Sequence, residues 1–400
     1  MARPRPQPGS QSSLREANRT RLLEGLRVHG HLTQVELAGV TGLSPATVSN
    51  IVKELSAAGV LQTAVTARSG RRAIEVRLAH QAGLVAGVHV SSRHMRIAIA
   101  DVMGTVLIEH NVPLAPDHRH DAELDRVALM LTDMLESLDS GFDDLLSVGV
   151  AVPYPVDPVD GRIAVPRLVP GWHDVAVQSA LGSRVSKPVV VDSETNAGAL
   201  AEARHGEGRG VESFVYLRVG SGITTSIVVG GRVLGGAHGR AGQLGHTSVD
   251  RGGAVCHCGK RGCLETVAGG AALLARFRDD PGMHRVRDLV LRADAGGGAA
   301  RRTIADAGRE IGQAAAALCD LVDPALIVVG GELAEAGEQL LAPLRHALEA
   351  NSLRGSGTGV EVVNAALGVR SELVGAISIA ARELPLRAID TPAATRAAHS

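Results

Sequence analysis

The stretch GQLGHTSVDRGGAVCHCGKRGCLE, residues 242–265, decides what fold and chemistry to expect of this 400-residue chain. Three of the four cysteines, Cys256, Cys258 and Cys263, lie within a span of eight residues inside this stretch. Thiols spaced so closely in an intracellular chain favour a metal over disulfides. His246, nine intervening residues upstream, completes a Cys3His set, the composition of a structural zinc site. His257, between two of the cysteines, is an alternative fourth ligand.

Composition limits the class of protein. The chain is 45% hydrophobic and 21% charged, which suits about two or three folded domains. No apolar run approaches the roughly 18 residues of a membrane span, and residues 1–13 lack the apolar segment of a secretory signal. We therefore expect a cytoplasmic protein that makes no membrane contact.

The small net charge hides an asymmetry. Residues 1–80 hold eleven Lys and Arg against five Asp and Glu, a charge of +6, so the remainder holds 30 against 37, a charge of −7. A basic head on an acidic body suggests that the head meets a polyanion. A solvated basic tail would give the same charge, so the sequence pattern of residues 1–80 has to distinguish a head that binds a polyanion from such a tail.

Residues 14–80 have the pattern of a small DNA-binding domain. Leucines at helical spacing predict a first helix that ends near Gly30. Thr33 and Glu36 form a capping box that opens a short second helix, and Ser44 followed by a proline opens a third. Two short helices joined by a glycine-containing turn indicate a helix-turn-helix, whose second helix enters the major groove of DNA.

The expected DNA contacts lie on this last helix and on a basic hairpin after it. The segment ARSGRR, residues 67–72, is a turn-prone loop between two strand patterns and predicts a wing that touches phosphate or the minor groove. The candidate contacts are Ser44, Thr47, Ser49, Asn50 and Lys53 on the helix and Arg68, Arg71 and Arg72 on the wing.

From residue 81 the pattern alternates strands with helices, which predicts an α/β body of two lobes. The segment AGGGAA, residues 295–300, is expected to be a surface loop. The expected limits are 81–205 plus 370–385 for lobe 1, 206–369 for lobe 2, and disordered tails at 1–13 and 386–400.

With the winged head before it, the string C-x-C-G-x-x-G-C-x-E resembles the ROK family of repressors and sugar kinases. Further matching segments are VGVAVPYPVD, PGWHDV, VDSETNAGALAE and VVGGELAEAG. The resemblance extends from about residue 14 to residue 385. It implies an α/β protein in which a winged helix-turn-helix precedes a two-lobed, actin-like sugar-kinase body with a sugar site in its cleft.

The resemblance also implies residue roles. It implies a tetrahedral zinc held by His246, Cys256, Cys258 and Cys263. An imidazole with one nitrogen on the metal has its other nitrogen fixed to meet a sugar hydroxyl. Glu265 is implied as a hydroxyl acceptor, although a carboxylate there could instead cap a helix. The expected ligand contacts are Ser193, Glu194, Gln243, His246 and Glu265.

Departures from the family's kinases predict that the chain is not an enzyme. Where the kinases have the phosphate loop D-x-G-G-T, this chain has HVSSR at residues 89–93. Where they have G-T-G-I-G-x-G, this chain has GSGITTS at residues 220–226, which adds side chains where the backbone must approach phosphate. E-N-D-A-N reads DSETN, so Glu194 replaces the aspartate base with a carboxylate about one methylene further out. Gln243 replaces the glutamate of E-x-G-H, and Tyr154 replaces the glycine of PGPVD.

These observations predict a transcriptional regulator, in the first instance a repressor, whose body senses a sugar or sugar derivative. Its expected partner is a double-stranded, palindromic operator, bound by a homodimer or homotetramer. The alternatives are an ATP-dependent sugar kinase and a DNA-binding protein whose sugar site has decayed.

Overall fold

The computed structural model describes residues 11–68, 71–79, 83–115, 118–163, 171–172, 175–353 and 359–382. The head contains α1 (Gln11–His29), β1 (His31–Thr33), α2 (Gln34–Thr41), α3 (Pro45–Ala57), β2 (Leu61–Arg68) and β3 (Arg71–Leu78). Lobe 1 contains β4 (Leu84–Val90), β5 (His94–Asp101), β6 (Val106–Pro113), α4 (His120–Glu136), β7 (Leu145–Val152), α5 (Val177–Val185), β8 (Val189–Ser193) and α6 (Glu194–His205).

Lobe 2 and the last helix complete the chain. Lobe 2 contains β9 (Phe214–Val219), β10 (Ile223–Val229), β11 (Arg232–Val233), α7 (Glu265–Ala268), α8 (Gly270–Ala275), α9 (Val286–Asp294), α10 (Gly298–Val322), β12 (Leu326–Gly330), α11 (Glu338–Asn351) and β13 (Glu361–Asn364). The chain then returns to lobe 1 as α12 (Ser371–Arg382). Within the described ranges, no helix is both long enough and apolar enough to cross a bilayer.

The helices of the head begin where the capping signals place them. The Thr33 hydroxyl accepts a hydrogen bond from the Glu36 amide, and the Glu36 carboxylate accepts one from the Thr33 amide at 2.8 Å. The Ser44 hydroxyl accepts a bond from the Thr47 amide at 3.2 Å. These caps satisfy amides that have no partner inside the helix, and the predicted helix-turn-helix is confirmed.

The two lobes repeat one sheet pattern. Their strand orders are β6-β5-β4-β7-β8 and β11-β10-β9-β12-β13, each with three antiparallel strands followed by two parallel ones. The central strands are buried on both faces, as expected where helices cover a sheet. The predicted fold class, a winged helix-turn-helix followed by a two-lobed α/β body, is confirmed.

Two local expectations were wrong. Helix α1 begins at Gln11, three residues before the predicted start, because the polar QSS segment gives no apolar period to detect. Helix α10 begins at Gly298, so half of the predicted loop 295–300 is helical; its alanines favour helix even beside glycines. Strands β1, β6 and β13 were not foreseen. Residues 1–10, 69–70 and 383–400, which include the expected C-terminal tail, lie outside the described residues.

Helices α6 and α12 pack together closely. A Cβ at Gly375 of α12 would lie 2.0 Å from the Ala197 carbonyl oxygen of α6. A Cβ at Gly149 of β7 would lie equally close to the Ala376 carbonyl oxygen of α12. Only glycine permits such contacts, so α12 is held against both α6 and the sheet of lobe 1.

The head and lobe 1 share one hydrophobic cluster. It contains Leu22, Leu37 and Leu55 from the three head helices together with Val85 and Ala98 from the lobe 1 sheet. Leu373, Ile377 and Ala380 of α12 belong to the same cluster. Burial of this apolar surface joins the DNA-binding head to the body.

Candidate functional site

Helix α3 exposes the polar side chains that were predicted to meet DNA. Ser49, Asn50 and Lys53 are exposed, Ser44 is exposed at the N-cap, and Thr47 is half-buried. The opposite side is formed by the buried residues Val48, Ile51, Val52 and Leu55. The helix therefore presents one apolar face to the head and one polar face to solvent. Contact with bases stays a prediction.

The wing is a regular antiparallel hairpin. Strand β2 pairs with β3 from Leu61↔Leu78 to Arg68↔Arg71, so the backbone carries three arginine positions to its end. Ser69 and Gly70 at the tip lie outside the described residues. The chain path agrees with a basic wing, whose DNA contacts stay a prediction.

The expected metal ligands come together in one loop. The ligand atoms of His246, Cys256, Cys258 and Cys263 all lie within 4.8 Å of one another. His246 Nδ1 lies 3.6 Å from Cys256 Sγ, and Cys258 Sγ lies 3.6 Å from Cys263 Sγ. Since a zinc–sulfur bond of about 2.3 Å places tetrahedral sulfur ligands about 3.8 Å apart, this donor set fits zinc. It is a cluster that could bind a metal.

The alternative ligand His257 lies beside the same cluster. Its Nδ1 is 3.7 Å from Cys256 Sγ, but the residue is exposed and also lies 3.7 Å from the Glu265 carboxylate. Cys258 and Cys263 do not belong to the ligand group that contains His257. Burial lowers the pKa of His246, which favours the neutral imidazole that binds metals.

Glu265 connects the cysteine loop, residues 246–263, to strand β10. It begins helix α7, and its carboxylate accepts a hydrogen bond from the Ile223 amide at 2.9 Å. A Cβ at Gly222 or Gly245 would approach this carboxylate to 2.9–3.0 Å. Glu265 is therefore set against the start of β10.

A polar cleft lies between the two lobes. Ser193 and Thr195 line it from the start of α6, and Thr224, Thr225 and Gln243 line it from lobe 2. Pro153, Tyr154, Pro155, Gly239 and Ala241 complete the described lining. Hydroxyl and amide groups of this kind can donate and accept hydrogen bonds to a polyol. Of the expected ligand contacts, Ser193 and Gln243 line this cleft.

Side chains of residues 220–226, the segment predicted to differ from the second kinase phosphate loop, contact helix α6. Thr224 Oγ1 lies 2.5 Å from Thr195 Oγ1, and Ser226 donates a hydrogen bond to Asn196 Oδ1 at 2.9 Å. The loop therefore bonds to α6. In the first loop, the Ser91 hydroxyl accepts bonds from the Arg93 and His94 amides and closes a tight turn.

Glu194 lies in a buried charged cluster, although sequence analysis placed it among the ligand contacts. Its Oε2 is 2.8 Å from His89 Nε2, and its Oε1 is 3.1 Å from Arg218 Nη1. Arg218 Nε is 3.3 Å from Glu372 Oε1, and Tyr216 donates a hydrogen bond to the same oxygen. Glu194 is not among the described residues that line the cleft.

Burial sets the protonation states of this cluster. Burial lowers the pKa of His89 to about 4, so its imidazole is neutral near pH 7. Burial raises the pKa of Glu194, and the Arg218 charge opposes that shift. Burial alone would lower the pKa of Arg218, but Glu194 and Glu372 outweigh it and raise the pKa, which keeps the guanidinium charged.

Sequence reasoning missed Arg218 and Glu372. A signal existed, because Arg218 is the one charged residue in the strand pattern FVYLRV and Glu372 directly precedes the apolar segment LVGAISIAA. A charge inside a buried strand requires a partner. The sequence does not say which carboxylate provides it.

A basic winged helix-turn-helix head on a two-lobed α/β body with a cysteine-rich loop defines a DNA-binding regulator, and comparison with known proteins agrees with that class. The model of the ROK family matches residues 85–383, and that of a winged helix-turn-helix DNA-binding domain matches residues 15–62. The chain belongs to the ROK family and carries the head of a transcriptional regulator.

Named relatives include repressors that match most of the chain. A putative xylose repressor of Caldicellulosiruptor sp. is 28% identical over 84% of this chain and 88% of its own length. The dual regulator NagC of Escherichia coli is 27% identical over 94% of this chain and 97% of its own.

Solved structures include both a regulator and a kinase. A ROK transcriptional regulator homologous to E. coli MLC covers 96% of this chain and all of its own, with a TM-score of 0.75 at 23% identity. A ROK glucokinase from Streptomyces griseus, in complex with glucose and AMPPNP, covers 75% of this chain and all of its own, with a TM-score of 0.65 at 25% identity. The kinase structure therefore covers a smaller share of this chain than the regulator structure does.

Proposed function

We propose that this protein is a sugar-responsive transcriptional repressor. The observation that carries the proposal is the continuous hydrophobic cluster that joins the helix-turn-helix of the head to lobe 1 and α12. Because the head packs against the body in this way, a rearrangement of the body also moves the head. The test is selection of bound DNA from a random pool, followed by binding of the selected DNA in the presence of single sugars.

In this proposal α3 enters the major groove. Asn50 reads a base edge, since an amide can bond adenine bidentately, while Ser44, Thr47, Ser49 and Lys53 support the helix on bases and phosphates. Arg68, Arg71 and Arg72 of the wing bind phosphate or the minor groove. Contacts in two half-sites require two heads, so the protein acts on a palindromic operator as a dimer or tetramer. Such a protein works in the cytoplasm, where the chromosome lies.

The effector in this proposal is a sugar or sugar derivative bound in the cleft between the lobes. Ser193 and Gln243 provide hydroxyl and amide bonds there. His246 and Glu265 approach the sugar from the cysteine loop. The names of two relatives, the putative xylose repressor and an N-acetylglucosamine repressor of Escherichia coli, make xylose and N-acetylglucosamine the first sugars to test.

We further propose that the Cys3His cluster holds structural zinc. His246, Cys256, Cys258 and Cys263 would be its ligands, and the ion would supply a fixed crosslink within a glycine-rich loop that has little regular structure. A closed four-ligand site stabilises a fold without taking part in catalysis. The loop in turn positions Gln243 and Glu265 relative to the cleft.

The proposal assigns no kinase activity to the chain. A general base has to reach the sugar hydroxyl, but Glu194 is held by His89 and Arg218. Phosphate needs exposed backbone amides, and the two loops at 89–93 and 220–226 are closed by side-chain bonds. Production of ADP from ATP in the presence of any hexose would revive the kinase alternative.

A second candidate function is DNA binding without sugar sensing. The burial of Glu194 outside the cleft lining favours this second candidate, because one expected carboxylate contact to a sugar is then missing. A panel of sugars that changes neither the melting temperature nor DNA binding supports this candidate and rejects the first.

A further inference from the structure

The start of α6, from its N-cap Ser193 onward, contacts both the cleft and a buried charged cluster. Ser193 and Thr195 line the cleft between the lobes. Glu194, between them in sequence, is 5% exposed and belongs to the buried charged cluster. A ligand that shifts this turn therefore also shifts a carboxylate inside the protein.

We propose that Arg218 and Glu372 relay occupancy of the cleft to the DNA-binding head through helix α12. This inference rests on the proposed function, since it assumes that a ligand in the cleft regulates DNA binding. Neither residue contacts the ligand or DNA. Both act as positioning residues.

Arg218 is the centre of the relay. It extends from β9 in lobe 2, and its guanidinium bridges Glu194 at the start of α6 and Glu372 in the first turn of α12. All three residues are at most 5% exposed. A buried ion pair that loses one partner leaves an uncompensated charge. Movement of α6 relative to lobe 2 is therefore resisted unless Glu372 and its helix move too.

Helix α12 carries the displacement to the head. Leu373 follows Glu372 directly, and Ile377 and Ala380 lie one and two turns further along. All three belong to the cluster that contains Leu22 and Leu55 of the head. The close glycine contacts with α6 and β7 leave α12 little room to deform, so it transmits motion as a rigid body.

The substitution Glu372→Gln tests the relay with little risk to folding. It removes one charge and leaves Arg218 paired with Glu194, so no lone buried charge results. The amide can still accept the hydrogen bond from Tyr216. Glu123→Gln is a matched control, since Glu123 is also buried and paired with an arginine, Arg126 at 3.4 Å, but lies in α4 of lobe 1.

Hydrogen–deuterium exchange of the full-length protein tests the relay without any ligand. In Glu372→Gln we expect exchange to rise about tenfold in α12 and in the head helices, because removal of one charge from the buried ion pair weakens the contact that holds α12 and favours its local opening. Glu123→Gln should leave these segments unchanged. An increase confined to α12, with the head helices at the wild-type rate, overturns the proposal. If Glu372→Gln does not fold, Arg218→Lys is used, with the same expected pattern.

The second measurement uses the selected DNA with xylose, N-acetylglucosamine and glucose as probes. For a sugar that changes the DNA affinity of the wild type, typically by about 5- to 150-fold, Glu372→Gln should bind the same sugar but change DNA affinity less than about twofold. A full response in this variant rejects the relay. If no sugar affects the wild type, the proposed function fails, and the exchange experiment still decides whether Glu372 is coupled to the head.

Discussion

His89 Nε2 lies 2.8 Å from Glu194 Oε2, with both side chains almost completely buried. Sequence analysis placed His89 at the start of the segment that differs from the first phosphate loop of the family's kinases, and Glu194 at the position of their aspartate base. In the structure these two side chains are bonded to each other, and neither is among the described residues that line the cleft. This pairing agrees with the proposed absence of phosphoryl transfer.

The buried pair should appear in the pH dependence of stability. The pKa of His89 falls from its ordinary 6.5 to about 4 on folding, so the unfolded state binds more protons below pH 6.5 and stability is lost between pH 6.5 and 4. The raised pKa of Glu194 acts in the opposite direction, because folding makes this carboxyl easier to protonate. Between pH 7 and 5, His89→Gln should lose about 2 kcal/mol less stability than wild type in urea unfolding.

His284→Gln is the control for that experiment, since His284 is exposed in lobe 2. Its stability should follow the wild-type pH dependence. Parallel curves for His89→Gln and wild type would show that the imidazole at position 89 is not held neutral.

Zinc content should depend on Cys258. Cys258→Ser removes one of four ligands, so we expect the metal-to-protein ratio to fall from about one to near zero and the melting temperature to fall with it. Cys319→Ser is the control, because Cys319 is buried in α10 and lies outside the cluster. Elemental analysis of both variants decides, and an unchanged ratio in Cys258→Ser refutes the ligand assignment.

The helix and the wing should differ in their effects on DNA binding. Asn50→Ala should relax base preference at one position of the selected sequence, at a cost of about 1–3 kcal/mol. Arg72→Ala should weaken binding to all sequences and reduce the salt slope by about one. Gln62→Ala, at an exposed position of β2, is expected to have neither effect. Titrations at several salt concentrations separate these outcomes, and identical behaviour of Asn50→Ala and Arg72→Ala contradicts the groove assignment.

ATP should not bind. Because Thr224 and Ser226 are bonded to α6 and the first loop is closed by Ser91, we expect millimolar ATP with magnesium to leave the melting temperature unchanged. A ligand in excess over its dissociation constant must raise it. A concentration-dependent increase with ATP, absent with magnesium alone, contradicts the proposed loss of the nucleotide site.

Local signals in the sequence predicted the parts of the molecule that depend on local chemistry. The caps at Thr33 and Ser44, and the thiols of the 256–263 loop, act through neighbours close in sequence. The expected ligand role of Glu194 came from its place in a motif, but its partner Arg218 comes from another lobe. No local pattern encodes such a long-range ion pair, because the fold first has to bring β9, α6 and α12 together.

The central claim is that occupancy of the cleft controls DNA binding by the same molecule. Its most direct test is the affinity of the full-length protein for the selected DNA, measured by fluorescence anisotropy during titration with xylose, N-acetylglucosamine or glucose. We predict that at least one sugar changes the affinity by about fivefold or more, and that Gln243→Ala needs more of that sugar for the same change while Gln178→Ala, outside the cleft lining, does not. Unchanged affinity with every sugar, or an equal response in Gln243→Ala and wild type, would contradict it.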